Sequence, residues 1–152
     1  KGTSMSHAHK IKVLFVCIHN SARSQMAEAF LRALGGEEFE AESAGFEPGI
    51  LNPLAVSTMQ EIGIDISHHT PQSVFELFKQ GKRYNYVITV CDESSAERCP
   101  LFPGAVERIH WSFKDPSLLA GSEEEKRSAI ALIREEIRSA VAGFIATHRT
   151  RS

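Results

Sequence analysis

Four short strand-like runs alternate along this chain with longer stretches in which apolar residues recur every three or four positions. The runs cover residues 11–16, 39–44, 84–90 and 106–111, and in the first of them only Lys12 is polar. A strand that helices cover on both faces has such a composition, because neither of its faces meets water. Strands that alternate with helices predict an α/β fold with a right-handed, doubly wound parallel sheet.

The intervening stretches have the periodicity of helices. The apolar residues of positions 24–34 share one helical face, and Gly35 follows them as a stop signal. Asn52 and Thr70, each followed by proline, predict the starts of a second and a third helix. Ser122 and the glutamates after it predict the capped start of a long amphipathic helix.

Composition and charge narrow the possible functions. With 152 residues, 42% of them hydrophobic, the chain has the size of one domain with a real core. We expect that domain over residues 11–148, after a tag remnant and flexible N-terminus in residues 1–10. The net charge of −2 gives no reason to expect nucleic acid or an anionic membrane as a partner. No apolar run approaches the ~20 residues of a membrane span, so we expect a cytoplasmic protein.

The loop between the first strand and the first helix runs from Cys17 to Arg23, and Ser24 follows. Unpaired backbone N–H groups at a helix N-terminus and the helix dipole both favour an anion there. The guanidinium of Arg23 adds a planar pair of donors that fits two oxygens of a tetrahedral oxyanion. The same positive field favours the thiolate over the thiol of Cys17, so the spacing predicts a nucleophilic cysteine in an oxyanion-binding loop.

These residues also have a plainer interpretation, which is a buried cysteine at a strand end and a surface arginine on the next helix. We favour the oxyanion loop because a strand precedes it, a helix follows it, and Asn20 and Ser21 can adopt unusual backbone angles. Ser24 can donate its hydroxyl to the thiolate or serve as an ordinary cap. The residues predicted to surround the anion are Ile18, His19, Asn20, Ser21, Ala22, Arg23 and Ser24.

Cys91 directly follows the third predicted strand, as Cys17 follows the first. In open α/β sheets the active crevice lies beyond the carboxyl ends of the strands, so both sulfurs belong to that edge. Neighbouring strands run about 4.8 Å apart, and modest loop movement would then bring the two sulfurs within bonding reach. The alternative is that Cys91 is a packed small hydrophobic residue.

Cys99 lies eight residues beyond Cys91. A helix between them would separate their Cα atoms by roughly 12 Å, whereas a disulfide needs them within about 7 Å. A bond between the two therefore requires residues 92–98 to bend or unwind, and that stretch has no large apolar residue to hold it in the core. Structural disulfides are rare in cytosolic proteins, so we expect the three cysteines to be either reactive or simply buried.

Asp115 precedes Pro116 in a loop after the fourth strand, again at the active edge. A protonated carboxyl beside an anion pocket can act as a general acid, and the alternative is an ordinary turn aspartate.

Glu28 is expected on a solvated face of the first helix, although it can also brace the loop from behind. The adjacent residues His68 and His69 favour packing or capping over metal binding.

Together these residues resemble the thioredoxin-coupled arsenate reductases that are built on the low-molecular-weight protein tyrosine phosphatase fold. The resemblance covers nearly the whole chain from Ile11 onward, and the combination of motifs is more specific than any one of them. It implies a four-stranded parallel sheet in the order 2-1-3-4 with helices on both faces. The motifs that carry it are residues 13–28, Ser43-Ala-Gly45, Asn52-Pro53, Ile64-Asp-Ile-Ser67, Val87-Ile-Thr-Val-Cys91, Cys99-Pro100 and His110-Trp-Ser-Phe-Lys-Asp-Pro116.

The resemblance implies that Cys17 attacks arsenate held by the loop amides and Arg23, while Asp115 protonates the departing oxygen. Cys91 then attacks Cys17, which releases arsenite and leaves a Cys17–Cys91 disulfide. Cys99 next attacks Cys91, and the resulting Cys91–Cys99 disulfide lies at the surface, where thioredoxin reduces it. Each step is thiolate attack, so no metal or organic cofactor is needed. Phosphate and sulfate are expected to compete with arsenate for the loop.

Some positions depart from that family's pattern. Ala22 stands where phosphatases of this fold, and some reductases, carry a second cysteine, so a short-range disulfide is not possible here. Ser117 stands where the phosphatases typically carry a tyrosine, which weakens the case for an aromatic phosphoester pocket.

The resemblance also raises the question of a metal. Some reductases of this family bind potassium near residues that correspond to Asn20, Glu28 and Thr70. The acidic residue expected soon after that threonine is absent, and Gln72 is present instead, so we predict no metal site.

Two other functions stay open from the sequence. A low-molecular-weight protein tyrosine phosphatase acting through a Cys17 phosphoenzyme would use the same Arg23 and Asp115, because arsenate and phosphate are near-isosteres. Phosphatase turnover that survives the loss of Cys91 and Cys99, without arsenate reduction, would select that function. A non-catalytic redox sensor or oxyanion-binding module would need the loop but not the relay.

Overall fold

The computed structural model describes residues 10–91 and 105–149. Its strands form one four-stranded sheet in the order β2-β1-β3-β4, and every neighbouring pair is parallel. The predicted α/β class and strand order are therefore confirmed. The strands are β1 (Ile11–Cys17), β2 (Phe39–Gly45), β3 (Tyr84–Cys91) and β4 (Ala105–Ser112).

The helices described are α1 (Arg23–Gly35), α2 (Pro53–Gln60), α3 (Val74–Lys79) and α4 (Glu123–His148). Asn52 caps α2 through its side chain, and Ser122 and Glu125 form the reciprocal capping box of α4. The third helix begins at Val74 and not at the predicted Thr70-Pro71. The reason is that the hydroxyl of Ser73 accepts the first free N–H groups of α3 and so fixes its start.

Helices cover both faces of the sheet. Val13 and Phe15 of β1 pack on one face with residues of α1 and α4, while Leu14 and Val16 pack on the other with residues of α3. All four side chains are completely buried, and burying each stabilises the fold by roughly 1.5–3 kcal/mol. Packing on both faces therefore holds β1 in place, and with it Cys17 at the end of the strand.

No described helix is long and apolar enough to cross a membrane. Residues 1–9, 92–104 and 150–152 lie outside the described ranges. The predictions about the tag remnant, about bending of residues 92–98 and about Cys99 therefore stay predictions.

Candidate active site

The loop after β1 begins at Cys17 and ends where α1 begins at Arg23. Four of its carbonyl groups turn outward and accept N–H groups from residues 46–52, at N···O distances of 2.7–3.3 Å. A planar trans peptide points the next N–H away from its carbonyl, so four loop amides face inward. The four carbonyls belong to Cys17, Ile18, His19 and Ser21. The inward amides are those of Ile18, His19, Asn20 and Ala22.

Two residues permit this tight curvature. Gly45 ends β2 so close to the loop that a Cβ there would lie 2.7 Å from the carbonyl oxygen of Ile18 and 2.9 Å from the amide nitrogen of Asn20. Asn20 has a φ of +54°, a left-handed conformation that few residues other than glycine adopt. The prediction of an unusual backbone angle is confirmed for Asn20, whereas Ser21 has no positive φ.

Two donors point at the sulfur of Cys17. The backbone N–H of Asn20 and the hydroxyl of Ser24 each lie 3.0 Å from Sγ. The side-chain amide of Asn20 donates to the Ser24 oxygen at 2.7 Å, which leaves the hydroxyl proton of Ser24 for the sulfur. Cys17 is 3% exposed, and both groups are placed to donate to its sulfur.

Arg23 and Asp115 line the same small pocket as Cys17. The guanidinium of Arg23 is buried and donates to the carbonyl of Phe113 at 3.1 Å, and its second terminal nitrogen lies 3.7 Å from Oδ1 of Asp115. The same Oδ1 accepts the N–H and the hydroxyl of Ser117, each at 2.9 Å. The structure thus brings together the predicted nucleophile, guanidinium and carboxyl group.

The side chain of His19 has a different partner. Its Nδ1 bonds the carbonyl of Glu47 at 2.9 Å, and the residue is exposed at the rim of the pocket. His19 therefore contributes an inward amide, while its ring ties the loop to the segment after β2.

Cys91 is the last residue of β3 and is as buried as Cys17, with 1% of its surface exposed. The register pairs Val16 with Thr89, so Cys91 lies one residue beyond the position beside Cys17. Strand spacing and rise then place the two Cα atoms about 6 Å apart, which is within disulfide range. Alternation along β3 turns Cys91 toward the face of Val87, opposite to the face on which Cys17 packs.

The two described cysteines also differ in redox state. Cys17 is a free thiol, whereas Cys91 is disulfide-bonded. Cys99 lies in residues 92–104, outside the described ranges.

Glu28 lies behind the loop and is 7% exposed, so the expectation of a solvated face is wrong. The hydroxyl of Ser43 donates to it, and Arg32 forms an ion pair with it at 2.7 Å. Burial raises the pKa of the Glu28 carboxyl above its ordinary value, although the bond from Ser43 and the charge of Arg32 oppose this. The helical pattern missed the burial because β2 places Ser43 against this side of α1.

The oxygens behind the loop do not fit a potassium ion. The backbone N–H of Gln72 donates to Oδ1 of Asn20 at 3.0 Å, and its side-chain amide donates to the carbonyl of Ser43 at 2.9 Å. N–H groups at these oxygens would repel a cation, and Thr70 is exposed. Within the described part of the chain, no group of three or more His, Cys, Asp or Glu residues could hold a metal.

Sequence reasoning missed the role of Gln25, and it noted Gln72 only for the absence of an acidic residue. Gln25 is 1% exposed and donates to Asn20, and Gln72 fixes the same asparagine from the other side. An amide side chain belongs to no nucleophile or metal motif. The one available signal for Gln25 was its place in the first turn of the helix that follows the loop.

Comparison with known proteins gives three main similarities. The model of the family described as low molecular weight phosphotyrosine protein phosphatase matches residues 12–149. An arsenate reductase from Halalkalibacterium halodurans is 39% identical over 139 residues, which are 91% of this chain and 98% of that protein. A solved arsenate reductase in the phosphate-binding state has a TM-score of 0.74 and 29% identity, covering 90% of this chain and 98% of that one.

A solved thioredoxin-dependent arsenate reductase from Corynebacterium glutamicum is also similar, with a TM-score of 0.65 and 29% identity. The match covers 91% of this chain and 61% of that one.

The sheet, the cysteine loop at its carboxyl edge and the family match define the class of protein. This chain belongs to the low molecular weight phosphotyrosine protein phosphatase family. The relatives described above are arsenate reductases, so the resemblance seen in the sequence is confirmed.

Proposed function

We propose that this chain reduces arsenate to arsenite, with Cys17 as nucleophile, Cys91 and Cys99 as relay thiols, and thioredoxin as reductant. The observation that carries the proposal is the sulfur of Cys17, which accepts two hydrogen bonds beside Arg23 and Asp115. The arsenate reductases among its relatives support the substrate, and the thioredoxin-dependent one supports the reductant. Free thiols persist in the cytoplasm, so we place the enzyme there.

The first step forms an adduct between sulfur and arsenic. The inward amides and the guanidinium of Arg23 bind the oxygens of arsenate, and phosphate or sulfate would compete for the same donors. The thiolate of Cys17 attacks arsenic, an arsenic–oxygen bond breaks, and Asp115 gives its proton to the departing hydroxyl, which leaves as water.

The second step is the reduction itself. The thiolate of Cys91 attacks the sulfur of Cys17, a Cys17–Cys91 disulfide forms, and the sulfur–arsenic bond breaks. The electron pair of that bond stays on arsenic, which goes from As(V) to As(III) and leaves as arsenite. The two sulfurs together lose the two electrons that arsenic gains.

This step requires a local rearrangement of β3. The Cα atoms of the two cysteines are about 6 Å apart, but Cys91 is directed to the opposite face of the sheet from Cys17. The last residue of β3 must therefore turn before its sulfur can attack. The N–H of Phe113 donates to the carbonyl of Cys91 at 3.2 Å, and the turn would strain this bond.

The third step regenerates the nucleophile. The thiolate of Cys99 attacks Cys91, a Cys91–Cys99 disulfide forms, and Cys17 leaves as a thiolate. The dithiol of thioredoxin then reduces the disulfide. The relay expects a free Cys17 together with a disulfide-bonded Cys91 just before thioredoxin acts, and the free Cys17 and bonded Cys91 of the structure support this order of steps.

The second candidate function is phosphatase activity. One observation favours it: Cys17, Arg23 and Asp115 form a complete set of nucleophile, oxyanion donor and acid without the relay thiols. Under the main proposal this activity is weak and accompanies reduction. It becomes the main function if phosphotyrosine turnover is fast and arsenate is not reduced.

The test measures arsenite formation with thioredoxin, thioredoxin reductase and NADPH, and separately with glutathione and glutaredoxin. We expect sustained turnover with the thioredoxin system and little with the other. Cys91→Ser should release no arsenite in repeated cycles while it still binds arsenate. If Cys91→Ser turned over arsenate repeatedly with thioredoxin, the relay would be wrong.

A further inference from the structure

A line of hydrogen bonds leads from the surface to the sulfur of Cys17. The ring nitrogen Nδ1 of His69 lies 2.8 Å from Oε1 of Gln25, whose Nε2 lies 3.1 Å from both oxygens of Asn20. Asn20 then bonds Ser24, and Ser24 bonds the sulfur. His69 is half-buried, whereas the residues after it in the line are 0–1% exposed.

One backbone group sets the direction of the inner bonds. The N–H of Gln72 can only donate, so the side-chain atom of Asn20 that faces it, at 3.0 Å, is the oxygen. The amide nitrogen of Asn20 must then face Ser24, and the Ser24 proton is left for the sulfur of Cys17.

The same reasoning sets the direction of the outer bonds. The end of the Gln25 side chain that faces Asn20 meets two oxygens, the carbonyl and Oδ1, and therefore carries the nitrogen. The other end is an acceptor directed at His69. The imidazole must therefore carry a proton on Nδ1, and every bond in the line donates toward the sulfur.

We propose that His69 is a positioning residue for the nucleophile, acting through Gln25 and Asn20 to keep both donors on the sulfur of Cys17. The inference deepens the proposed function, because it assumes that the Cys17 thiolate is the reacting group. Without a donor at position 69, the buried oxygen of Gln25 loses its partner, and Asn20 loses a constraint on its left-handed conformation. The thiolate is then less favoured.

The charges around His69 agree with a neutral ring that holds a single proton. Burial lowers the pKa of His69, the neighbouring charges of His68 and Arg32 lower it further, and Asp65 opposes them. A neutral imidazole has one proton to place, and the bond to Gln25 requires it on Nδ1.

The experiment compares two replacements of similar size at this position. His69→Asn keeps an amide donor one bond beyond Cγ, where Nδ1 of the histidine lies, whereas His69→Leu removes the donor and keeps the bulk. Both are made in a Cys91→Ser/Cys99→Ser background, in which Cys17 is the only thiol in the sequence. The readout is the rate of Cys17 alkylation by iodoacetamide against pH. His68→Leu serves as the control, because His68 is exposed and packs on the ring of His69 but makes none of the hydrogen bonds described above.

For His69→Leu we expect the pH midpoint of alkylation to rise by about half a pH unit, which is roughly a threefold smaller thiolate fraction below the midpoint. His69→Asn and His68→Leu should keep the wild-type midpoint. Gln25→Met should shift the midpoint at least as far, and adding His69→Leu to it should cause no further shift.

Two results would overturn the inference: equal midpoints for the Leu and Asn variants, or an undiminished effect of His69→Leu in the Gln25→Met protein. Unfolding in urea is measured for each variant. The midpoints of His69→Leu and His69→Asn are compared between proteins that are equally folded. An ordinary thiol midpoint in the unsubstituted background would instead contradict the proposed function itself. The two failures are therefore distinguishable.

Discussion

The front and the back of the oxyanion loop are built from different kinds of groups. The front consists of Cys17, Arg23 and Asp115, which are ionisable and line the pocket. The back consists mainly of neutral amides, which are the side-chain amides of Asn20 and Gln25 and the backbone N–H of Gln72. The comparison teaches that the charged groups determine which reaction is possible, and the amides determine where those groups lie.

Substitution of the acid at the front should have the largest effect on rate. Asp115→Asn removes the proton donor but keeps an oxygen that can accept the N–H of Ser117. We expect arsenate turnover to fall about a hundredfold, while the free energy of unfolding changes by less than about 0.5 kcal/mol. Steady-state kinetics and urea unfolding check the two parts. Full activity in this variant would remove Asp115 from the mechanism.

The next largest effect should come from the contact between β2 and the loop. Gly45→Ala places a Cβ 2.7 Å from the carbonyl oxygen of Ile18, and the backbone must shift. We expect a loss of about 2 kcal/mol in the free energy of unfolding together with lower activity, because such overpacking costs ~1–3 kcal/mol. Gly49→Ala is the matched control, since its Cβ would meet His19 at an ordinary 3.5 Å. Equal losses in the two variants would contradict the reason given.

The third largest effect should come from the hydroxyl of Ser24, which connects the back of the loop to the front. Ser24→Ala removes one of the two donors to the Cys17 sulfur. A hydrogen bond to a charged group contributes about 1.5–3 kcal/mol, so Cys17 alkylation near neutral pH should slow about tenfold. Ser67→Ala, which loses only a bond to Asp65, should leave the rate unchanged. If the Ser24→Ala protein reacted as fast as the wild type, the hydrogen-bond network would not affect the reactivity of Cys17.

The smallest effect should be a pH dependence that originates at the back. Burial raises the pKa of Glu28, so the folded state holds this proton more tightly than the unfolded state does. Stability should therefore fall as the pH rises from 4.5 through the raised pKa, and Glu28→Gln should remove that slope. At pH 7 the variant should stay within about 1 kcal/mol of the wild type. Urea unfolding at several pH values measures both, and an unchanged slope would assign the dependence to other groups.

The front of the loop was predictable from the sequence because its parts are local or set by topology. Cys17 and Arg23 are separated by five residues in one loop, and Asp115 follows a strand that ends at the same edge. The rule that active crevices lie at the carboxyl ends of parallel strands then brings them together. The strand order rested on the resemblance to a known family.

The back was not predictable, and the reason is physical. The ring of His69 reaches Gln25, and the backbone N–H of Gln72 reaches Asn20, from distant parts of the sequence. Neither contact follows a spacing rule. Glu28 was assigned to solvent because helical periodicity describes only the helix itself, not the strand that packs against it. The start of the third helix was wrong for a similar reason, since Ser73 competes with Thr70-Pro71 as a cap.

The adjacency of β1 and β3 has a consequence for how this framework can change its chemistry. A pocket that holds a tetrahedral anion over one sulfur is suited to hydrolysis of phosphate esters. Under the proposed relay, Cys91 at the end of the adjacent strand reduces the Cys17 adduct, and the residues that line the anion pocket stay unchanged. The proposed relay therefore adds redox chemistry at a neighbouring strand end and keeps the groups that would otherwise serve group transfer.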